Sequence, residues 1–186
     1  MNNYDYRVNL VDDYLKKLNL SNEIKKYYSG RNILVTGGAG AIGSNLVTTL
    51  SKLVGNDGMI IVLDNLSAIK GDEPIDLPPL SNMMFVNGDI RNDIDLKRVF
   101  REKPTIVYHL AAFFANQNSV DYPETSADVD IHGMIKLLDL AQFTGVDKFV
   151  YASSGCAIYG SYGEMPLKED FISLHLTTPY QVNKMA

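Results

Sequence analysis

Tyr180 and Lys184 have the types and spacing of an acid–base pair. On a helix, positions i and i+4 share a face, so this Y-x-x-x-K would point a phenol and an ammonium into one place. A cation beside a phenol favours the phenolate. The expectation is a lowered Tyr180 pKa and a tyrosinate able to take a proton from a hydroxyl. The motif is weak by itself, because the chain has eleven tyrosines and twelve lysines. Its position beyond the last of five strand-like runs gives it weight.

A second signature lies far upstream. Thr36-Gly37-Gly38-Ala39-Gly40-Ala41-Ile42-Gly43 contains G-x-x-G-x-x-G between an apolar run and a helical stretch. Gly37 permits a tight turn, Gly40 lets the backbone approach a pyrophosphate, and Gly43 lets helix and strand pack closely. The following helix start, at Ala41 and Ile42, offers unpaired N–H groups and about half a positive charge. A Walker A loop is excluded, because no lysine precedes Ser44. Asp64 ends the second apolar run, twenty-one residues after Gly43. A carboxylate there accepts hydrogen bonds from ribose hydroxyls and repels a 2′-phosphate. No arginine stands near that strand tip in sequence, and Lys70 is the nearest cation. The expected dinucleotide is NAD rather than NADP.

The elements that must position these groups follow from the apolar pattern. Asn32–Thr36, Met59–Asp64, Met83–Val86, Thr105–Leu110 and Lys148–Ser153 are short β-branched runs, nearly continuous in apolar residues. Strands buried on both faces read this way. Helical stretches at Ala41–Val54, Asp93–Glu102 and Ala127–Phe143 alternate with them. This alternation predicts an α/β fold, a Rossmann-type doubly wound parallel sheet. Gly71–Leu80, with Pro74, Pro78 and Pro79, reads as a surface loop in place of a crossover helix. Residues 1–30 form a separate helical extension. Val11, Tyr14, Leu15 and Leu18 make one stripe expected to pack on the domain, and Ser21-Asn22-Glu23 supplies a cap for a second helix. The division is thus 1–30, extension, and 31–186, dinucleotide-binding domain. Ala186 falls in a helix that has barely begun after Pro179, so the domain reads as cut short at its C-terminal end.

Composition narrows the classes. The chain has 186 residues, 46% hydrophobic and 21% charged, enough for one good core. A net charge of −5 without a basic block argues against nucleic acid as a partner. No apolar run approaches the ~18 residues of a membrane helix. The single cysteine, Cys156, suits a reducing cytoplasm and reads as a small buried hydrophobe. His109, His132 and His175 are far apart, and no metal-binding spacing is present. His109, ending a strand, reads as a satisfied core or cofactor-edge group.

Gly37–Gly43, Val62–Ser67, Gly88-Asp89-Ile90, His109–Ala112, Tyr151–Gly160 and Tyr180–Lys184 follow one another in an order that resembles the extended short-chain dehydrogenase/reductases. Within them, the chain is similar to the NAD-dependent epimerase/dehydratase family over residues 31 to 186. Asp64-Asn65-Leu66-Ser67 brings it nearest the UDP-glucose 4-epimerase-like members. The resemblance implies an NAD-dependent nucleotide-sugar epimerase, with transient oxidation at the sugar C4 and a UDP-hexose as substrate. It implies that Asn65 belongs to the cofactor site, that Asp89 and Ile90 hold the adenine, and that Leu110, Ala111 and Ala112 line the nicotinamide side. Tyr180, Lys184 and a strand-five hydroxyl would be catalytic, and Tyr180 and Lys184 would also belong to the cofactor site, Lys184 orienting the ribose and tuning Tyr180. Reading forward, that hydroxyl is Ser154, with Ser153 in reserve; reading backward from Tyr159-Gly160, the position falls on Gly155, as though the loop were one residue longer than usual.

The resemblance also implies a substrate domain beyond this chain. It implies a homodimer built on Ala127–Phe143 and the helix starting at Pro179. Asp130 departs from the pattern, which has Asn there. Gly155 and Cys156 replace the acid pair that follows the hydroxyl in related 4,6-dehydratases, leaving that activity, other nucleotide-sugar reductases and a non-catalytic NAD-binding module as alternatives.

Overall fold

The computed structural model describes residues 3–68, 77–114, 116–160, 165–173 and 175–186. Five strands, β1 (Asn32–Thr36), β2 (Met59–Asp64), β3 (Met83–Asn87), β4 (Ile106–His109) and β5 (Lys148–Tyr151), form one sheet in the order β3-β2-β1-β4-β5. Every pairing is parallel. The order reverses at β1, so the crevice beyond the C-terminal ends of β1 and β4 is the switch point where ligands bind in such sheets.

Side-chain alternation on β1 builds a core on each face. Leu34 joins Ile61, Leu63, Val107 and residues of helices α4 (Asp93–Phe100) and α7 (Gly133–Thr144). Ile33 and Val35 join Ile60, Val62 and the Val47, Leu50 and Val54 stripe of α3 (Ala41–Val54). The central strands are fully buried, which explains their unbroken apolar sequence. The expected bounds of β1, β2 and α3 coincide with those observed. The fourth and fifth strands are shorter than expected, because Leu110 and residues 152–153 already leave the ladder.

Two expectations need correction. The stretch Ala127–Phe143 is not one α-helix: α6 (Pro123–Ala127) runs through a π-helical turn, Asp128–His132, into α7. A π turn widens the spiral and points one residue differently; here Asp130 is turned inward and buried. The extension folds as α1 (Asn3–Leu18) and α2 (Asn22–Tyr28), the latter capped by Ser21. Its buried stripe, however, is not the expected one. Val11 is buried and Leu15 half-buried, whereas Tyr14 is 57% and Leu18 46% exposed. The side of α1 carrying Arg7, Val8, Val11 and Asp12 lies toward α3, with Arg7 donating to Ser44 Oγ at 2.8 Å and Lys52 paired with Asp12 at 3.2 Å. Lys70 and most of the Gly71–Leu80 loop, with Pro74, lie outside the described residues.

Candidate active site

The glycine turn is held by close backbone contacts. Gly37 has φ +69°, and a Cβ there would stand 2.6 Å from the Ala111 nitrogen. A Cβ on Gly43 would run into the Gly37 carbonyl oxygen and come 2.7 Å from Gly38 Cα. Gly43 thus seats the first turn of α3 on the loop itself. Gly40 is different: a Cβ there meets only the Gly37 oxygen at 3.4 Å. The α3 N-terminus, Ala41 and Ile42, is exposed. Its first-turn N–H groups have no partners within the helix, which makes the turn a receptor for an anion.

Asp64 braces this turn. Its carboxylate accepts from Ala39 N at 2.9 Å and from Leu66 N at 2.8 Å, one bond on each oxygen. A carboxylate has about four acceptor directions, so the arrangement leaves room for hydroxyl donors. Asp89 has less room. Arg91 donates Nε to one oxygen and a terminal nitrogen to the other, at 2.9 and 2.8 Å; Arg91 N and Asn65 Nδ2 add a bond each at 2.9 Å. The Arg91 hydrogen bonds hold the Asp89 carboxyl down at about 2. The Ile90 side chain is buried, with its end 2.7 Å from the position of a Gly133 Cβ. Leu110 and Ala111 press on Gly37, and Ala111 N donates to Thr36 Oγ1 at 3.3 Å. Ala112 follows them, half-buried. Arg91, unseen in the sequence reading, stands beside Asn65 through Asp89 and also reaches Asp128 at 3.2 Å.

At the other side of the switch point, α9 (Pro179–Met185) carries Tyr180 and Lys184. Thr178 and Gln181 form a capping box, worth about 1 kcal/mol. Gln181 Nε2 also donates to Cys156 O at 3.1 Å, and Tyr180 N donates to Ser119 Oγ at 3.0 Å. The first turn of α9 is therefore tied to α8 (Gly155–Tyr159) and α5 (Asn116–Asp121). Lys184 is buried, donates Nζ to Ala152 O at 3.1 Å and lies 4.7 Å from the Tyr151 ring centroid. His109 stacks on Tyr151, and its Nδ1 is 2.6 Å from Thr36 Oγ1. It is a satisfied core group, and burial pushes it down to about 3, so it stays neutral. The series Thr36, His109, Tyr151, Lys184 joins the glycine turn to the catalytic helix.

Ser154 precedes α8 in extended conformation and makes no capping bond with its side chain. Its hydroxyl lies against the Tyr180 phenol, whose pKa it lowers. Ser153 is exposed. Cys156 is not a buried hydrophobe: it is half-exposed, with Sγ 3.0 Å from Ser154 Oγ. The expected lowering of Tyr180 by Lys184 is also reversed in the chain alone. Burial pushes the phenol up, Cys156 and Asp130 add to the rise, and the Ser154 hydrogen bond opposes it. The Lys184 ammonium is directed to Ala152 O, 6.0 Å from the Tyr180 ring centroid. Burial lowers Lys184 itself, and the Asp130 charge opposes that.

A doubly wound parallel sheet, a glycine turn after β1 and a Tyr and a Lys on one helix beyond β5 define a Rossmann-type chain. The sequence model of the NAD dependent epimerase/dehydratase family matches residues 33–186, and the chain belongs to that family. It is 36% identical over 154 residues to a UDP-glucose 4-epimerase of Mycolicibacterium smegmatis, covering 82% of this chain and 48% of that protein. The solved structure of an epimerase, Mth375, from Methanothermobacter thermautotrophicus is 49% identical with a TM-score of 0.80, over 88% of this chain and 47% of that one. A UDP-glucose 4-epimerase of Thermus thermophilus in complex with NAD is 36% identical with a TM-score of 0.66, over 82% and 47%. The chain spans about half the length of the curated relatives it matches.

Among the described residues, no helix is long and apolar enough to cross a membrane, and no group of His, Cys, Asp and Glu is placed to hold a metal ion.

Proposed function

We propose that the chain is the cofactor-binding and acid–base half of an NAD-dependent nucleotide-sugar epimerase. The observation that carries this reading is the convergence of Ser154, Tyr180 and Lys184 beside the glycine turn, through Thr36, His109 and Tyr151. The residues fit the dinucleotide. The exposed helix start at Ala41 and Ile42 suits its pyrophosphate, and Asp64 keeps acceptor capacity for ribose hydroxyls. Asn65, Asp89 and Ile90 would hold the adenosine end, with the Asp89 carboxylate already engaged by Arg91 and Asn65. When bound, NAD supplies the acceptor and donor of a hydride.

Tyr180 takes the proton of a sugar hydroxyl, normally that on C4, and returns it at the end of the cycle. Ser154 hydrogen-bonds the same oxygen and lowers the phenol pKa. Lys184, anchored on Ala152 O, holds a positive charge below the pair. Between the two proton transfers the 4-keto sugar presents its other face, which inverts C4. UDP-hexoses fit this reading, since the matched relative is a UDP-glucose 4-epimerase. A 4,6-dehydratase is disfavoured because Cys156, not a carboxylate, contacts Ser154. Exposed Ile135, Leu138 and Val182 on α7 and α9 support a homodimer across those helices.

The test is NAD binding by this chain in titration calorimetry, followed by UDP-glucose–UDP-galactose interconversion by a protein that carries this half together with a substrate domain, with Tyr180 and with Tyr180→Phe. The variant is expected still to bind NAD through the glycine turn and Asp64, and to lose about 10³-fold in kcat. Retained turnover would remove Tyr180 as the base.

A further inference from the structure

The π-helical turn places one carboxyl group where the reaction described above has no use for it. Asp130 is 3% exposed. Its Oδ1 accepts from Phe113 N at 2.8 Å, and its Oδ2 lies 3.2 Å from Ser126 Oγ. Ser126, fully buried, is in turn 2.9 Å from the side-chain amide of Asn183, the residue next to Lys184 on α9. A carboxyl, a hydroxyl and an amide thus run in sequence from the π turn to the catalytic helix.

The chain of hydrogen bonds can run in two directions. In one, Asn183 Nδ2 donates to Ser126 Oγ, and Ser126 gives its only proton to Asp130 Oδ2. That pattern requires a carboxylate. In the other, the Asn183 amide is turned: its oxygen accepts from Ser126 Oγ at 2.9 Å and Ala127 N at 3.3 Å, and its nitrogen donates to Pro179 O at 3.2 Å. This orientation satisfies more of the amide's neighbours. Ser126 has then spent its proton on Asn183, so its contact with Asp130 is a hydrogen bond only if Asp130 supplies the proton. The protonation of Asp130 and the orientation of Asn183 are therefore one choice.

We infer that Asp130 is a positioning residue of α9, whose proton sets the direction of the Ser126–Asn183 hydrogen bonds next to Lys184. The inference rests on the proposed role of Tyr180 only for its catalytic meaning. The groups facing Asp130 are Lys184 and Tyr180 on α9 and Tyr151 on β5, and its negative charge raises the pKa of all three. Cys156, on α8, acts on Tyr180 in the same sense, and His109, behind Tyr151, is neutral. On the π turn itself, Asp128 and His132 face outward and pair with each other and with Arg91. Burial is the largest influence and pushes the Asp130 carboxyl up, toward the protonated form, while the Phe113, Lys184, Ser126 and Asn183 contacts oppose it.

Nuclear magnetic resonance of the labelled chain tests this without cofactor or sugar. In wild type, the Asn183 side-chain amide resonances are expected to step at the pH where the Asp130 carboxyl carbon titrates. Asp130→Asn is a permanent copy of the neutral state. In it, the Tyr180 and Lys184 resonances should both titrate at lower pH, because removing a negative charge favours phenolate and disfavours ammonium. The Asn183 amide should no longer move with pH. Unchanged Tyr180 and Lys184 titrations in a folded variant overturn the inference. So does an Asn183 amide that ignores the Asp130 titration in wild type, a measurement that needs no variant. Turnover retained in Tyr180→Phe would remove the base assignment and leave this coupling standing.

Discussion

The glycine turn after β1 and the cluster around Tyr180 face one another across the switch point, and they are specified in opposite ways. The turn is a backbone structure, fixed where side chains are missing, by contacts that a single methyl group would break at Gly37 and Gly43. The cluster is a side-chain structure. Ser119, Ser126, Asp130, Ser154, Tyr180 and Lys184 come from four elements and the loop after β5, and hydrogen bonds decide their places. A backbone device can be written in eight consecutive residues, whereas a side-chain device needs the whole fold first.

Substitutions can break that contrast. Gly43→Ala has the largest expected effect, because the added carbon meets backbone at both Gly37 and Gly38 and neither can rotate away. A loss of about 3 kcal/mol or more in urea unfolding is expected, together with loss of NAD binding. A variant as stable as wild type would mean that the turn is more pliant than its contacts imply.

The join between the two regions predicts a comparable acid sensitivity. His109 is neutral in the fold, held down to about 3 from an ordinary value of 6.5, chiefly by burial. Unfolded chains take up the proton below about 6.5 and the native state does not. The contribution is complete above that pH and lost progressively as pH falls toward 3, about 3 kcal/mol between pH 7 and pH 4. Urea unfolding of wild type and His109→Asn at the two pH values checks this. Equal acid slopes would show that His109 is not the group responsible. Tyr14→Ser, on the outward face of α1, is expected to change stability by less than about 0.5 kcal/mol. A larger loss in thermal unfolding would mean that the extension is tied to the domain through that face after all.

Legibility in the sequence followed the same division. β1, β2 and α3 could be bounded to the residue, because uninterrupted apolar runs and a glycine boundary are local signals. The stripe on α1 was misread. Two faces of that helix carry apolar residues, Val8, Val11 and Leu15 on one and Leu10, Tyr14 and Leu18 on the other, and periodicity alone cannot say which finds a partner. Asp130 was visible as a departure from the resembled pattern, but nothing in the letters announces a π turn, which costs the helix its regular hydrogen bonds and depends on what receives the displaced side chain. Arg91 stands two residues after Asp89 in sequence, and its hold on that carboxylate becomes visible only in the folded turn.

Local sterics and hydrophobic patterning thus settled the sheet, the glycine turn and the placing of Tyr180 and Lys184 on one helix within the sequence itself, since each involves neighbours within about one helical turn or one strand. The tertiary structure alone decided which serine faces Tyr180, that burial raises rather than lowers its phenol, that Asp89 is occupied by Arg91, and that Asp130 reaches the catalytic helix through Ser126 and Asn183. Those outcomes depend on desolvation and on hydrogen bonds between residues up to 57 positions apart, and neither exists until the chain has folded.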